Sequence, residues 1–566
     1  LLEPRIQTQI ADAGPVPRSG VAPWQLKLTV FFTGLLGIGY EVLGVRVMAE
    51  VLENTIYSFA AALSVYLLGT AIGAALYQRW AARAEFRSPL KLLLWSISMA
   101  CVFGAWMLSK AQAIYGGMRA FFGDGLRNGL VAEAAVAALV FGLPTVLMGA
   151  AYGHLVQWAR REDGGVGQAA ALNTLGSALA PVLFGVVLPP VAGAKWAMVL
   201  VSLGYLAVLA IGSSVTDARQ LPARLRDTNY ESRANNRASS PASASLWRGE
   251  RRLLRSGGWK WFALVLPLAG CLLLPARLQF VQKPPGGEIL EYRQGVMDSV
   301  AVVRHFDGNR SLLVNNRFIM GGTGAANAAR RHAQIPLLLH PEPKRALFLG
   351  LGTGITFAAA GTHPGLQADG VELVPEILEV LNRFAPENSL RPGLKLFAAD
   401  ARRFVRVSES RYDVIVADLF HPARDGAGAL YTAEHFRAMR GLLAEGGLIC
   451  QWLPLFQLDE PMLRVILRTF LEVFPYTRAH LLRFNLDTPV VGLVATLEPF
   501  RYPPGWFEQR VRDSELGKAL KSLTLTDRFQ LFGTLVAAHE SLQNFSRVAE
   551  LNTDDHPVVI FGAPRF

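Results

Sequence analysis

The hydrophobic and polar positions divide the chain into an apolar first half and an alternating second half. Seven apolar segments, most near the roughly 20 residues that a membrane-spanning helix needs, cover residues 26–48, 55–76, 90–108, 131–154, 168–188, 194–211 and 259–274. Small-residue runs such as GTAIGAAL let helix backbones approach closely. We therefore predict a packed membrane bundle, in which the short seventh segment is the least secure span.

After Pro284 the pattern changes to that of a soluble domain. Short alternating runs separated by DGN predict a small antiparallel β region. From Arg345 onward apolar runs alternate with helical stretches, and the predicted strands are ALFLG, ADGVEL, LKLFAAD, YDVIVADL and GGLICQW. This alternation predicts a doubly wound parallel sheet. The predicted fold class is thus a multi-pass α-helical membrane domain followed by a small β region and an α/β Rossmann-like domain.

These patterns set the expected domain limits. We expect a polar N-terminal tail, a membrane domain of six helices, a basic flexible loop, a seventh apolar segment, a small β domain and a Rossmann-like domain, over residues 1–25, 26–212, 213–258, 259–275, 284–322 and 323–566.

Composition supports a membrane location for part of the chain. Of the 566 residues 51% are apolar, and the mean hydropathy is +0.28, which excludes an ordinary soluble enzyme. The net charge of +12 arises largely beside apolar segments, where arginines orient a membrane protein, so we predict no nucleic-acid partner. The three cysteines make no metal-ligand spacing, and no metal is predicted.

Arginine-rich loops indicate how the segments are oriented. Arginines follow the second and fourth segments, and the loop 213–258 holds nine arginines against four acids. These loops are predicted to be cytoplasmic. The loop with Glu50 and Glu53 would then be outside, and seven true spans would put the C-terminal domain outside as well.

A glycine turn follows the first strand of the predicted parallel sheet. Gly350, Gly352 and Gly354 lie in ALFLGLGTG, before a helix-compatible stretch. Residues without a Cβ allow a tight turn and let a ligand approach the amides of the next helix. This is the form of a nucleotide-binding βα unit, although a tight packing turn gives the same pattern.

Three acids follow the next strands. Glu372 lies about 20 residues beyond the glycine turn, where a carboxylate accepts both ribose hydroxyls. Asp400 ends the third strand, where it can accept from an adenine amino group, and Asp418 ends the fourth. Each could instead cap a helix, but three in succession after a glycine loop favour a nucleoside site.

The motifs PEPKRALFLGLGTG, VEL, AADARRF, YDVIVADLFHP, LYTAEHF and LLAEGGLICQW resemble, in order and spacing, those of the polyamine aminopropyltransferase (spermidine synthase) family. In addition, GYEVLGVRVM, PTVLMG and NTLGSALAP resemble segments of the bacterial membrane-fused group, in which several transmembrane helices precede such a domain. The resemblance implies a transferase that uses decarboxylated S-adenosylmethionine or S-adenosylmethionine as donor and an amine or polyamine as acceptor. The lipid bilayer and, in a homodimer, a second copy of the chain are the other partners expected.

Two positions depart from the family pattern. Where the family's glycine loop carries an Asp that holds the aminopropyl ammonium, this chain has Thr353. In the family's D-x-x-D-P motif, Asp418 is kept and the second acid is His421. The resemblance implies that Asp418 orients the amine and accepts its proton, with His421 as a second base or donor, or as a packed loop histidine. Tyr431 could line the acceptor pocket or fill the core.

Other functions remain open from the sequence. One is an S-adenosylmethionine-dependent methyltransferase or lyase acting on a membrane-associated substrate. Another is a transporter or polyamine sensor, for which Glu41 and Arg46 in the first segment could serve, although paired charges there are also structural. The expected location is the bacterial inner membrane. The side of the C-terminal domain is left open, with a slight lean to the cytoplasm on donor chemistry.

Overall fold

The computed structural model describes residues 23–81, 88–123, 125–161, 165–213, 257–275, 280–316, 318–424, 426–512 and 514–563. The predicted basic loop 213–258 and N-terminal tail 1–25 lie almost entirely outside these residues. The chain forms two compact units. One contains residues 1–47, 61–114 and 134–278, and the other contains residues 48–60, 115–133 and 279–566.

The first half of the chain is helical. Its helices are α1 Pro23–Met48, α2 Ile56–Leu76, α3 Ser88–Ser109, α4 Ala111–Phe122, α5 Leu126–Arg161, α6 Gly165–Ala180, α7 Leu188–Ser213 and α8 Gly257–Leu273, with π-helical turns at Tyr77–Ala81 and Pro181–Val187. Within this helical unit, Tyr40 donates to the carbonyl of Val140 at 2.9 Å. Arg46 donates to the carbonyl of Gly185 at 3.3 Å, so a neighbouring helical segment supplies a partner for this charge.

Among the described residues, five helices are long and apolar enough to cross a membrane by length and composition. They are Trp24–Met48, Ile56–Arg79, Leu90–Ser109, Arg127–Arg160 and Gly165–Ile211. The fifth contains two of the seven predicted segments, 168–188 and 194–211. They are separated at Gly193, where the backbone leaves helical geometry (φ 77°, ψ 162°). The seventh predicted segment forms α8, which at 17 residues is shorter than a typical span.

The second half opens with a four-stranded antiparallel sheet in the order β1-β2-β3-β4. Its strands are β1 Glu288–Gln294, β2 Ser299–Arg304, β3 Arg310–Val314 and β4 Phe318–Gly322. Val300, Val302, Leu312 and Val314 are fully buried in one apolar cluster, which is the inward face of a sheet with period-2 alternation. The predicted antiparallel β region is therefore present.

An eight-stranded sheet follows, in the order β12-β10-β11-β9-β8-β5-β6-β7. Its strands are β5 Arg345–Leu349, β6 Gln367–Glu372, β7 Leu394–Ala398, β8 Tyr412–Ala417, β9 Leu443–Pro454, β10 Tyr476–Leu481, β11 Val490–Thr496 and β12 Leu535–Ala537. The five strands β9, β8, β5, β6 and β7 pair in parallel, which confirms the doubly wound prediction. The antiparallel extension by β10, β11 and β12 was not predicted.

Helices and short turns surround this sheet. The α-helices are α9 Ala326–Leu339, α10 Ile355–Ala360, α11 Pro375–Val380, α12 Ala401–Val407, α13 Ala433–Gly441, α14 Glu460–Val473, α15 Trp506–Val511, α16 Ser514–Lys521, α17 Arg528–Phe532, α18 His539–Ser546 and α19 Val558–Gly562. Both faces of β5 are buried: Ala346 and Phe348 belong to one core cluster, and Leu347 and Leu349 to another. This is why the strand reads as a continuous apolar run.

Candidate active site

The order of the parallel strands fixes where a ligand can bind. From β5 the chain adds β6 and β7 on one side and then β8 and β9 on the other. In such sheets ligands bind beyond the carboxyl ends of the strands, at the point where the order reverses. The glycine loop follows β5 and Asp418 follows β8, so both lie at this switch point.

All three glycines of the loop have left-handed backbones, with φ of +82° at Gly350, +50° at Gly352 and +75° at Gly354. A Cβ on Gly352 would lie 2.8 Å from the carbonyl oxygen of Met320, so strand β4 passes directly over the loop. A Cβ on Gly350 would lie 3.4 Å from the Cβ of Asp418. The glycines are thus required by the turn and by close approaches from both sides.

The carboxylate of Glu372 accepts hydrogen bonds from backbone amides of the glycine loop. Its Oε2 accepts from the backbone amides of Leu351 at 3.0 Å and Gly352 at 3.2 Å, and its Oε1 accepts from the amide of Val374 at 3.1 Å. The residue is only 5% exposed, and burial raises the pKa of its carboxyl against the opposing effect of these amides. Glu372 therefore shapes the loop, and its predicted contact with ribose stays a prediction.

Asp400 lies beside Glu372 at the sheet edge, because the amide of Ala399 donates to the carbonyl of Glu372 at 2.9 Å. Its carboxylate caps α12 by accepting from the amide of Arg403 at 2.7 Å. Capping is the structural role that the sequence left open for this residue. A contact with adenine stays a prediction for this exposed side chain.

Thr353 is buried in the loop at 5% exposure. Its side chain lies close to Gly321 of β4, where an added Cβ would be 3.5 Å from its Cγ2 and 3.7 Å from its Oγ1. Its carbonyl accepts from Nδ2 of Asn388 at 2.8 Å. A neutral hydroxyl therefore stands between the loop and the small β sheet.

Asp418 is held by backbone and side-chain contacts. Its own amide donates to the carbonyl of Leu349 at 3.0 Å, and its Oδ1 accepts from the amide of Leu419 at 2.8 Å. The same Oδ1 lies 3.2 Å from Nδ1 of His332 on α9. The side chain of Asp418 remains 23% exposed and is thus accessible to solvent.

The loop after Asp418 contacts residues of the small β region. Arg424 forms an ion pair with Asp298 at 2.8 Å and lies 5.0 Å from the ring centroid of Phe318. The ring of His421 packs edge-to-face on Phe318 at 5.4 Å. Burial, aided by the charge of Arg424, lowers the pKa of His421 to about 4, so its imidazole is neutral at pH 7.

Tyr431 lies in the core with 0% exposure. Its hydroxyl donates to the carbonyl of Phe420 at 2.6 Å, which anchors the loop that carries Asp418 and His421. The sequence left two roles open for Tyr431, lining the acceptor pocket or filling the core, and these contacts match the second. A direct contact of Tyr431 with substrate stays a prediction.

Three residues near the site were not predicted from the sequence. Asp298 holds Arg424, and Nε2 of Gln451 donates to the carbonyl of Asp418 at 3.4 Å. His332, on α9, contacts the Asp418 carboxylate itself. The available signal was a lone histidine on a helix that leads into the glycine loop, a pattern more often structural than catalytic. Among the described residues, no group of three or more His, Cys, Asp or Glu side chains is placed to hold a metal ion.

Known proteins resemble this half of the chain. Polyamine aminopropyltransferase of Methanocaldococcus jannaschii is 25% identical over 178 residues, or 30% of this chain and 60% of that protein. The enzyme of the same name from Thermotoga maritima is 28% identical over 153 residues, or 26% and 52%. The chain thus spans 52% to 60% of the length of these relatives.

A crystal structure of spermidine synthase in complex with the transition state analogue AdoDATO is also similar. It is 19% identical, covers 46% of this chain and 87% of its own, and has a TM-score of 0.37, which is too low to support an argument. The model of the spermine/spermidine synthase domain matches residues 330–483, which include the glycine loop, Glu372, Asp400, Asp418 and His421. Residues 330–483 of this chain are therefore similar to the spermine/spermidine synthase domain.

Proposed function

We propose that this site transfers an alkyl group from an adenosyl sulfonium donor, such as decarboxylated S-adenosylmethionine, to an amine. The observation that carries the proposal is the meeting of Asp418 and the glycine loop at the switch point, with 3.4 Å between the Asp418 Cβ and a Cβ built on Gly350. A nucleoside on the loop and an amine on Asp418 would then be neighbours. The names of the aligned relatives support the same chemistry.

The reaction needs little from the protein beyond alignment and proton removal. The amine nitrogen attacks the carbon attached to the sulfonium, a carbon–nitrogen bond forms, and the carbon–sulfur pair goes to sulfur to leave a neutral thioether. The amine's proton passes to the Asp418 carboxylate, which acts as general base. Most of the rate would come from holding the two reactants in line.

His421 contributes no positive charge at neutral pH, because the pKa of its imidazole is lowered to about 4. It can therefore lie near a cationic amine without repelling it, and its lone pair can accept a hydrogen bond. Unlike a second carboxylate, however, it gives no full counter-charge. We propose that the acceptor is held by one strong charge, that of Asp418, and that its second end is neutral or is bound by other groups.

Thr353 favours a second candidate within the same site. An acid in the loop would repel the carboxylate of S-adenosylmethionine, whereas a neutral hydroxyl does not. The site could thus accept S-adenosylmethionine for methyl transfer or for elimination. The donor and the released nucleoside together separate these reactions. Methyl transfer from S-adenosylmethionine releases S-adenosylhomocysteine, elimination from S-adenosylmethionine releases methylthioadenosine without joining a carbon to the amine, and aminopropyl transfer releases methylthioadenosine from the decarboxylated donor.

We propose further that the domain acts at a membrane, on the same side as segment 48–60, the loop with Glu50 and Glu53 that the sequence predicts to be outside. The support is that segment 48–60, between α1 and α2, belongs to the same compact unit as residues 279–566. In that unit the hydroxyl of Tyr57 donates to the carbonyl of Phe561 at 2.9 Å. This placement is opposite to the one that the donor chemistry favours.

The test uses the detergent-solubilised full chain. It is incubated with either donor and 1,4-diaminobutane, and the released nucleoside is identified by mass spectrometry. We expect methylthioadenosine from the decarboxylated donor and a fall in kcat of about 100-fold or more for Asp418→Asn, because the general base is lost. Methylthioadenosine should bind both proteins equally in calorimetry.

The control is Glu445→Gln, which removes an exposed carboxylate near the amino end of β9, at the opposite edge of the sheet. It should transfer at the wild-type rate. Absence of methylthioadenosine binding to the wild-type protein would contradict a nucleoside site. Full activity in Asp418→Asn would contradict the role of the carboxylate.

A further inference from the structure

His332 is buried next to the carboxylate on which the proposed transfer depends. The residue is 7% exposed, and its Nδ1 lies 3.2 Å from Oδ1 of Asp418. The contact joins α9, which precedes the glycine loop, to the loop that follows β8. A histidine that donates to a carboxylate from one ring nitrogen fixes the tautomer of the ring and the orientation of the acid.

The ring of His332 cannot turn freely. It stacks on the indole of Trp452, with 4.9 Å between centroids and 23° between planes. The backbone is fixed as well, because Nε1 of Trp452 donates to the carbonyl of His332 at 3.0 Å. Trp452 is itself 0% exposed, so the strand β9 holds both the ring and its helix in place.

The other ring nitrogen makes no hydrogen bond within the described part of the chain. Nε2 of His332 is buried there without a partner. When Nδ1 carries the proton that faces Asp418, Nε2 holds a lone pair. A buried acceptor left without a partner costs about 1–3 kcal/mol, and a ligand N–H or O–H would supply the missing bond.

The other titratable neighbours of Asp418 are held in their neutral forms. Burial raises the pKa of the Tyr431 hydroxyl above its usual value, and burial raises the pKa of the Cys450 thiol well above its usual value. His421, three positions along the loop, has its pKa lowered to about 4. His332, in contrast, directly contacts a carboxylate oxygen of Asp418.

We propose that His332 is a positioning residue for Asp418. It orients the carboxylate toward the acceptor amine, and it offers Nε2 to an N–H of the bound ligand. The inference rests on the proposed amine-transfer function, but it makes a separate claim, namely that the His332–Asp418 contact is needed for tight binding of the amine.

Two variants of the full chain test the pair. His332→Phe keeps an aromatic ring against Trp452 and removes both nitrogens, whereas His332→Asn keeps a donor for Asp418. The probe is 1,4-diaminobutane, whose affinity is measured by calorimetry between pH 4 and pH 8. Transfer kinetics with decarboxylated S-adenosylmethionine give kcat and the donor KM at each pH.

In His332→Phe the carboxylate loses the donor that orients it. We expect kcat to fall about 10- to 100-fold with the donor KM unchanged, since alignment is lost and nucleoside binding is not, and we expect the diamine to bind more weakly. His332→Asn should restore most of kcat and of the diamine affinity.

Methylthioadenosine binding reports the integrity of the loop. The proposal is overturned if His332→Phe keeps the wild-type kcat and diamine affinity, or if both variants lose methylthioadenosine binding, which would make His332 a packing residue. A wild-type protein that binds the diamine but transfers nothing to it would contradict the proposed function alone. The difference in diamine affinity between the two variants would still decide the role of His332.

Discussion

Thr353 occupies the position in the glycine loop at which a charged side chain would favour one of the two proposed donors over the other. It is buried beside Gly321, and its hydroxyl cannot neutralise an ammonium group. The transferred aminopropyl group of decarboxylated S-adenosylmethionine carries such an ammonium, whereas methylthioadenosine has none. We therefore expect the residue at this position to set the ratio of the affinities for decarboxylated S-adenosylmethionine and for methylthioadenosine.

We predict that Thr353→Asp tightens binding of decarboxylated S-adenosylmethionine about 10- to 100-fold relative to methylthioadenosine. The physical reason is a charge-assisted hydrogen bond to the ammonium, which typically contributes about 1.5–3 kcal/mol. Calorimetry with the two nucleosides measures the ratio. Thr353→Asn has the same size as the Asp variant and no charge, so it should keep the wild-type ratio; an equal gain in both variants would contradict the electrostatic reason.

At the scale of elements, the segment 552–559 is hydrogen-bonded to the turn before Tyr431 and to the start of α13. Asn552 is 0% exposed. Its Nδ2 donates to the carbonyl of Gly428 at 3.3 Å, and its Oδ1 accepts from the amide of Val559 at 3.1 Å. The amide of Ala433 donates to its carbonyl at 2.9 Å. One asparagine thus connects the turn before Tyr431, the start of α13 and the last described helix.

We predict that Asn552→Ala lowers the free energy of unfolding by about 2 kcal/mol or more, because it leaves a buried carbonyl and a buried amide without their partners. Thermal unfolding of the solubilised protein measures the effect. Asn544→Ala makes the same change at an exposed position of α18 and should alter stability by less than about 0.5 kcal/mol. Equal melting temperatures for the two variants would show that the segment carries little of the stability.

At the scale of the whole molecule, several histidines are buried in neutral form. Burial lowers the pKa of His421 to about 4, that of His435 to about 3 and that of His480 to about 4. The pKa of His363 is likewise well below its usual value. In the unfolded chain these rings would take up protons near pH 6.5.

We predict that the C-terminal half loses stability as the pH falls from about 6.5 towards 4. In this window the unfolded state binds more protons than the folded state, so the free energy of unfolding decreases on acidification. The raised pKa of Glu372 acts in the opposite direction, but it is one group against four. Urea unfolding at pH 7.5 and pH 5.0 measures the difference.

The variant His435→Gln should make this pH dependence less steep. His556→Gln changes an exposed histidine and should leave the slope as it is in the wild-type protein. Midpoints that do not move between the two pH values would contradict the assignment of the loss to buried histidines.

The sidedness of the catalytic unit also belongs to the whole molecule. The hydroxyl of Tyr292 donates to Oε1 of Glu50 at 3.4 Å, and Nδ2 of Asn316 donates to the carbonyl of Glu50 at 3.4 Å. Segment 48–60 and the small β sheet thus contact each other, and in the proposed membrane arrangement they share one side. Arg79 ends the second candidate span, Ile56–Arg79, and arginines at the ends of spans are expected in the cytoplasm.

We predict that Glu445→Cys reacts with a membrane-impermeant maleimide in intact cells, whereas Arg79→Cys reacts only after lysis. Both positions are exposed, and the three native cysteines are buried, so the wild-type protein is the unlabelled control. Mass spectrometry of the purified protein measures labelling. Reaction of Arg79→Cys alone in intact cells would place the catalytic unit in the cytoplasm.

Much of the fold follows from patterns that are local in the sequence. The apolar segments, the glycine turn and the acids at strand ends each depend on a few neighbouring residues, and a buried central strand or a left-handed turn imposes its own residue types. For this reason the sequence could place Gly350, Glu372 and Asp418 at the ends of neighbouring strands, and their roles in a site stay predictions. The break at Gly193 and the antiparallel edge strands lacked so clear a local signal.

The sequence by itself determined that the chain joins apolar helices to a Rossmann-like domain with a nucleoside-type loop. Only the tertiary structure decided that His332 contacts Asp418, that β4 covers the glycine loop and that Tyr431 supports the loop from the core. The tertiary structure also places segment 48–60 in the same compact unit as the Rossmann-like domain. Each of these contacts joins parts of the chain that are distant in sequence, and such contacts depend on how the elements pack rather than on the pattern within any one of them.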